Sequence, residues 1–87
     1  MDEFVVYILY SPLSRKSYVG FTSHLIERIK SHNIYGSDWT KKYRPWIVIY
    51  IEFFSHKKEG MAREKYFKSG RGLYSKNKII SDFLSEH

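Results

Sequence analysis

Two apolar runs, Phe4-Val5-Val6-Tyr7-Ile8-Leu9-Tyr10 and Trp46-Ile47-Val48-Ile49-Tyr50-Ile51-Glu52-Phe53-Phe54, restrict the possible folds of this chain more than any other feature in it. Both are rich in β-branched and aromatic residues and short for a helix, so both read as strands. Neither alternates cleanly between apolar and polar side chains. The first is therefore expected to be covered on both faces, and the second to lie inside the sheet with helices on both sides.

The remaining segments arrange themselves around these strands. Ser11-Pro12-Leu13-Ser14-Arg15-Lys16 is a turn, and Ser17-Tyr18-Val19-Gly20-Phe21 is the returning strand of a hairpin that can bring Tyr7 and Tyr18 to one face. Thr22 or Ser23 caps a helix expected to reach Asn33 or Tyr35, with Leu25, Arg28, Ile29 and His32 on its inward stripe. Gly36-Ser37-Asp38 breaks that helix, and a basic stretch from Trp39 to Arg44 follows, closed by Pro45. After the second run, Ser55 stands at the cap of a helix over about Lys57 to Lys68. Its apolar members Met61, Ala62, Tyr66 and Phe67 are spread around the cylinder, which predicts a well-buried helix. Ser69-Gly70-Arg71-Gly72 reads as a glycine C-cap, and a last helix turns Ile79, Ile80, Phe83 and Leu84 to the sheet. The expected architecture is an α+β sandwich of order ββαβαα, a small three-stranded, mainly antiparallel sheet flanked by helices.

A chain of 87 residues makes one domain over 1–87 the default, and 8 Tyr, 6 Phe and 2 Trp can fill its core. With 0 Cys, neither disulfides nor zinc-thiolate sites hold the fold. A formal charge of +6 favours a polyanionic partner, nucleic acid above all. Met1-Asp2-Glu3 does not open a signal peptide, and no apolar stretch reaches membrane-spanning length, so a cytoplasmic monomer without membrane contact is expected.

Tyr7 within Val5-Val6-Tyr7 and Tyr18 within Tyr18-Val19-Gly20, with ten residues between the tyrosines, resemble the paired signature of the GIY-YIG nuclease domain. The similarity continues through Leu25, Arg28, His32 and Asn33, then through Glu64 in Ala62-Arg63-Glu64-Lys65 to Lys68, and spans about Phe4 to Ile80. Among such domains the chain is most similar to the short, stand-alone, single-domain bacterial type. Val5 stands where the signature has its first glycine, a change a strand tolerates.

The resemblance implies metal-dependent hydrolysis of a DNA phosphodiester, with branched, flapped or nicked substrates and repair or recombination as the expected setting. Glu64 would hold one divalent cation, Mg²⁺ or Mn²⁺. Arg28 would clamp the phosphate, Tyr7 would help to activate water, and Tyr18 and His32 would complete the hydrogen-bonded set. Asn77 is the candidate for an asparagine often found beyond the glutamate.

The chemistry of these side chains agrees. A single carboxylate suits Mg²⁺, which keeps most of its waters and takes further oxygens from phosphate. Arg presents a planar, permanently charged fork to phosphate. Tyr is a poor base at an unperturbed pKa of about 10; Arg28 and a cation would favour its phenolate, and His32 could accept its proton.

Taken singly, each residue has a structural explanation. Tyr7 and Tyr18 could be core tyrosines, and Arg28 could pair with Glu64. His32 could serve a helix end, and Glu64 could be solvated beside Arg63, Lys65 and Lys68. Together at the family spacing they describe one site. Lys41, Lys42, Arg44 and Arg71 read either as a positive rim for DNA, with Trp39 and Tyr43 stacking on bases, or as solvated loop charge. The alternative for the whole chain is a non-catalytic nucleic-acid-binding module that keeps the nuclease fold. RNA as ligand, and a protein partner that supplies targeting, stay open.

Overall fold

The computed structural model describes residues 4–35 and 41–86. Strand β1 (Phe4–Ser11) turns into β2 (Lys16–Thr22). Helix α1 (Leu25–Lys30) runs directly into a π-helical turn (Ser31–Tyr35), and β3 (Ile47–Phe54), α2 (Lys57–Lys68) and α3 (Gly70–Glu86) complete the order ββαβαα. The strands form one antiparallel sheet of order β2-β1-β3. This is the α+β arrangement read from the sequence.

The central position falls to β1, in which every residue from Val5 to Ser11 is buried. Its alternating side chains found two cores, one on each face of the sheet. Val5, Tyr7 and Leu9 pack with Trp46, and Tyr18, Leu25, Tyr43 and Val48 close around them. Val6 and Ile8 pack with Val19 and Phe67, backed by Tyr50, Tyr66 and Ile79. Helices α2 and α3 thus cover one face, while α1 and the chain entering β3 cover the face that carries Tyr7.

Strand β3 is not inside the sheet. It is an edge strand with Ile47, Ile51 and Phe53 exposed, Phe53 by 61 %. An apolar run reports that a strand is long and sticky; which strand takes the centre depends on pairing, and β1 pairs on both sides. The edge is tied down through its polar members. Tyr50 Oη donates to Glu52 Oε2 at 2.5 Å, and Arg63 Nε on α2 donates to Glu52 Oε1 at 2.9 Å. The Arg63 guanidinium also lies 4.8 and 4.5 Å from the Tyr66 and Phe67 ring centroids.

Three further expectations change. Helix α2 is not well buried, because Gly60 and Phe67 are its only buried residues and Met61 is exposed. The lack of an apolar stripe reflects contact by one narrow face, and Gly60 permits it: a Cβ there would come within 2.5 Å of the Phe21 ring. Neither Ser23 nor Ser55 caps a helix, since α1 and α2 begin after His24 and His56 and neither start has a side-chain cap bond. Thr22 Oγ1 instead accepts from the His24 N–H at 3.0 Å. The Ser69–Gly72 segment is not a left-handed glycine cap either. Ser69 is extended and the next helix starts at once, while Gly72 serves packing, because a Cβ on it would overlap the Tyr66 carbonyl. The Gly36-Ser37-Asp38 breaker and Trp39 lie outside the described residues.

Candidate active site

Pairing of β1 with β2 sets Tyr7 opposite Gly20 and Leu9 opposite Tyr18, which puts both tyrosine side chains on the face covered by α1. Their rings are 6.4 Å apart. Gly20 is a spatial requirement of this arrangement, because a Cβ at that position would overlap Cζ and the hydroxyl of Tyr7. The glycine of Tyr-Val-Gly therefore makes the bed on which the Tyr7 ring lies.

Helix α1 delivers the next two groups. Leu25 and Ile29 are half-buried and anchor it, and His32 is buried in the π-helical turn beyond it. The imidazole stands 4.7 Å from the Tyr18 ring and 6.0 Å from the Tyr7 ring by centroids. Its Nε2 lies 3.0 Å from the Tyr7 hydroxyl. Arg28 is exposed rather than inward. It is at the rim of the apolar stripe, and a π-helical turn begins at Ser31, between Arg28 and His32. The guanidinium lines an open groove of about 220 Å³ with Thr22, His24, Glu27 and Ser31; none of Tyr7, Tyr18, His32 or Glu64 lines it. Among the described residues Arg28 forms no ion pair, so the structural pairing with Glu64 is not made.

Glu64 comes from α2 on the other side of β2. Its side chain is 23 % exposed, and Oε2 accepts from Lys68 Nζ at 3.1 Å. The same Nζ lies 5.8 Å from the Tyr18 ring centroid, which joins the α2 pair to the tyrosine–histidine cluster.

The electrostatics connect the same residues. Burial, then the neighbouring Tyr18, holds the Tyr7 hydroxyl above its ordinary pKa; Arg28 pulls it down and Glu64 pushes it up. Arg28 thus acts in the expected direction but burial outweighs it, so the phenol keeps its proton at neutral pH. Burial, then Arg28, lowers the pKa of His32. The Tyr7–His32 pair is neutral, a phenol against an imidazole.

The basic residues are less gathered. Lys41, Lys42 and Arg44 are exposed ahead of β3, and Arg44 Nη1 donates to the Asn33 carbonyl at 3.3 Å. Tyr43 is half-buried against the Tyr7 core, with the Lys16 and Lys42 ammonium groups 5.7 and 5.5 Å from its ring centroid, which leaves it poorly placed to stack on a base. Arg71 and Asn77 are exposed on α3, with no hydrogen bond or ion pair to the five central residues among those described. Asn33 has a larger part than its sequence position indicates. Its Nδ2 donates to the Trp46 carbonyl at 3.1 Å, and its Oδ1 accepts from the Trp46 N–H at 2.6 Å. An amide that offers donor and acceptor together, next to His32 in the sequence, was the available signal.

Residues 3–78 match the family model described as the GIY-YIG catalytic domain, and the chain belongs to that family, a nuclease fold. It is similar to the UPF0213 protein YazA of Bacillus subtilis (strain 168), with 46% identity over 52 residues, 59% of this chain and 52% of that one. A UPF0213 protein of Limosilactobacillus reuteri (strain DSM 20016) is 34% identical over 70 residues, 77% of this chain and 72% of its own. The solution NMR structure of a UPF0213 protein from Bacillus halodurans superposes with a TM-score of 0.54 at 29% identity, covering 91% of this chain and 83% of that chain. The chain spans about half the length of curated relatives such as YazA. No helix among the described residues is long and apolar enough to cross a membrane.

Proposed function

We propose that this protein is a divalent-cation-dependent endonuclease that hydrolyses DNA phosphodiester bonds, with Tyr7, Tyr18, Arg28, His32 and Glu64 as its site. The observation that carries the reading is the buried Tyr7–His32 hydrogen bond, whose hydroxyl feels both the Arg28 guanidinium and the Glu64 carboxylate. A core tyrosine needs one hydrogen-bond partner, which His32 supplies here; the opposite charges of Arg28 and Glu64 acting on the same hydroxyl go beyond that need.

The residues fit one hard cation. Among the described residues no group of three or more His, Asp and Glu could hold a metal, so an all-protein cage is not what the site offers. Glu64 is one carboxylate in a half-buried position, and Mg²⁺ or Mn²⁺ bound there would complete its shell with water and phosphate oxygens. When bound, the cation polarises the phosphoryl group and steadies the leaving oxygen.

The chain's own groups do the rest. Arg28, exposed and without an ion pair among the described residues, receives phosphate oxygens and holds the scissile group against the Tyr7 side of the sheet. Tyr7 takes the proton of the attacking water as its own phenolic proton passes to Nε2 of His32. The neutral imidazole is the acceptor this transfer needs, and Arg28 assists by favouring negative charge on the Tyr7 oxygen. Tyr18 packs the His32 ring and keeps its Nε2 on Tyr7. The exposed charges of Lys41, Lys42, Arg44 and Arg71 supply sequence-independent attraction to DNA.

The test is cleavage of branched, flapped and single-stranded DNA by purified protein in Mg²⁺ or Mn²⁺, with Glu64→Gln and Arg28→Ala beside the wild type. Both substitutions are expected to abolish cleavage and leave the fold intact. DNA binding without cleavage of any substrate in either metal would make the protein a binding module instead.

A further inference from the structure

The carboxylate that meets the cation in the proposed function already has a partner. Lys68 lies one helical turn beyond Glu64, with Nζ 3.1 Å from Oε2. Glu-to-Lys pairs at this spacing are common on helix surfaces, where both heads stand in water and the bond matters little. This pair differs in three ways. Glu64 is 23 % exposed, so its carboxylate has limited water to turn to. The Lys68 ammonium also lies over the Tyr18 ring, which puts it on the side of α2 that faces the tyrosine–histidine cluster. The nearby Arg63 is committed to Glu52 on the opposite side, which leaves Lys68 as the cation Glu64 holds.

We infer that Lys68 is an internal competitor for the divalent cation at Glu64. Its ammonium occupies the carboxylate until a divalent ion displaces it, and the residue thereby sets the cation concentration at which the site loads. The inference rests on Glu64 being the cation-binding residue. The competition is reversible by construction. Lys68 is half exposed, it is the last residue of α2, and Ser69 beyond it is extended, so the lysine stem can swing into solvent without disturbing helical turns. A monovalent, strongly hydrated ammonium yields to a hard divalent ion that can take both carboxylate oxygens.

The experiment is a Mn²⁺ titration of the whole chain without DNA, followed by paramagnetic broadening of backbone amides around residue 64 in NMR spectra. Lys68→Met keeps the apolar stem and removes the charge. It is expected to lower the half-broadening concentration by roughly two- to tenfold, from loss of the competing pair and of repulsion between ammonium and metal. Lys68→Arg keeps a competing charge and is expected not to lower it. Broadening that appears only in Lys68→Met supports the inference in its extreme form. An unchanged or raised concentration in Lys68→Met, or no broadening near residue 64 in either protein, overturns the inference. Glu64→Gln separates it from the functional reading. If broadening survives Glu64→Gln, the assignment of Glu64 fails; if Glu64→Gln abolishes it while Lys68→Met matches the wild type, the role of Lys68 alone fails.

Discussion

The Tyr7 hydroxyl and Nε2 of His32 lie 3.0 Å apart in a part of the molecule where neither residue is more than 7 % exposed. The bond links the middle of the central strand to the π-helical turn, so it is both a structural fastening and, on the proposed function, the path of a proton. Tyr7→Phe leaves a buried imidazole nitrogen without its partner and is expected to cost about 1–3 kcal/mol of stability. Cleavage should fall on the order of 10²–10³-fold. His32→Ala should produce a similar rate loss. Because the two residues act in one proton relay, the double variant should be little slower than either single one, a coupling that urea denaturation and single-turnover rates can measure together. Rate losses that multiply in the double variant would mean that the residues act separately.

The same pair sets a pH dependence. The folded pKa of His32 lies below the ordinary 6.5, so the unfolded chain binds more protons than the folded one once the pH drops below that value. The contribution of His32 to stability is complete above pH 6.5 and is lost as the pH falls toward its folded pKa. Tyr7 behaves in the opposite sense: its pKa is raised above 10.0, so its contribution is complete below pH 10 and is lost in stronger alkali. Urea midpoints between pH 7.5 and 5.5 should decline in the wild type and decline less in His32→Gln. Equal declines would place the acid sensitivity elsewhere.

Gly20 gives a sharper structural test. Alanine there drives a methyl group into the Tyr7 ring and hydroxyl, and Tyr7 is too deeply buried to step aside freely. Overpacking of this kind costs about 1–3 kcal/mol. The expected signature is a lowered melting temperature and a displaced His32 ring resonance, with cleavage lost even where the protein remains folded. A Gly20→Ala protein with normal activity would show that the ring's position is not critical.

What the sequence reveals about this fold follows from which interactions are local. The order of elements and the hairpin that brings Tyr7 beside Tyr18 depend on strand periodicity and turn residues, and these lie in neighbouring positions. The edge position of β3 does not. Its residues are as apolar as those of β1, and only long-range pairing decides that β1 has two partners and β3 one. Gly60 looks like a local break in a helical pattern, yet it makes room for Phe21, a contact between elements far apart in the chain that no short window contains; Gly72 makes room for the Tyr66 carbonyl of the preceding helix. The site divides along the same line. The strand and helix signatures mark Tyr7, Tyr18, Arg28 and His32, while the exposure of Arg28 and the hold of Lys68 on Glu64 depend on packing.

Asn33 is the residue whose loss should separate positioning from chemistry. Its carboxamide grips both backbone groups of Trp46, and Trp46 is buried against Val5, Tyr7 and Leu9 and 6.4 Å from the Tyr18 ring by centroids. The two bonds fasten the chain entering β3 to the turn that carries His32, so they hold two walls of the site at a fixed distance. Asn33→Asp keeps the acceptor for the Trp46 N–H but loses the donor to its carbonyl, and it sets a carboxylate oxygen against that carbonyl oxygen. A loss of about 1–3 kcal/mol follows from the unpaired carbonyl and the desolvated charge. Amide hydrogen exchange at Trp46 and its neighbours in β3 should accelerate, with β2 less affected, because β2 is paired to β1 independently of this link. Asn33→Ala should accelerate exchange further, since it removes the bond to the Trp46 N–H as well. If exchange rises uniformly across all three strands, Asn33 supports global stability and not the junction between β3 and the His32 turn.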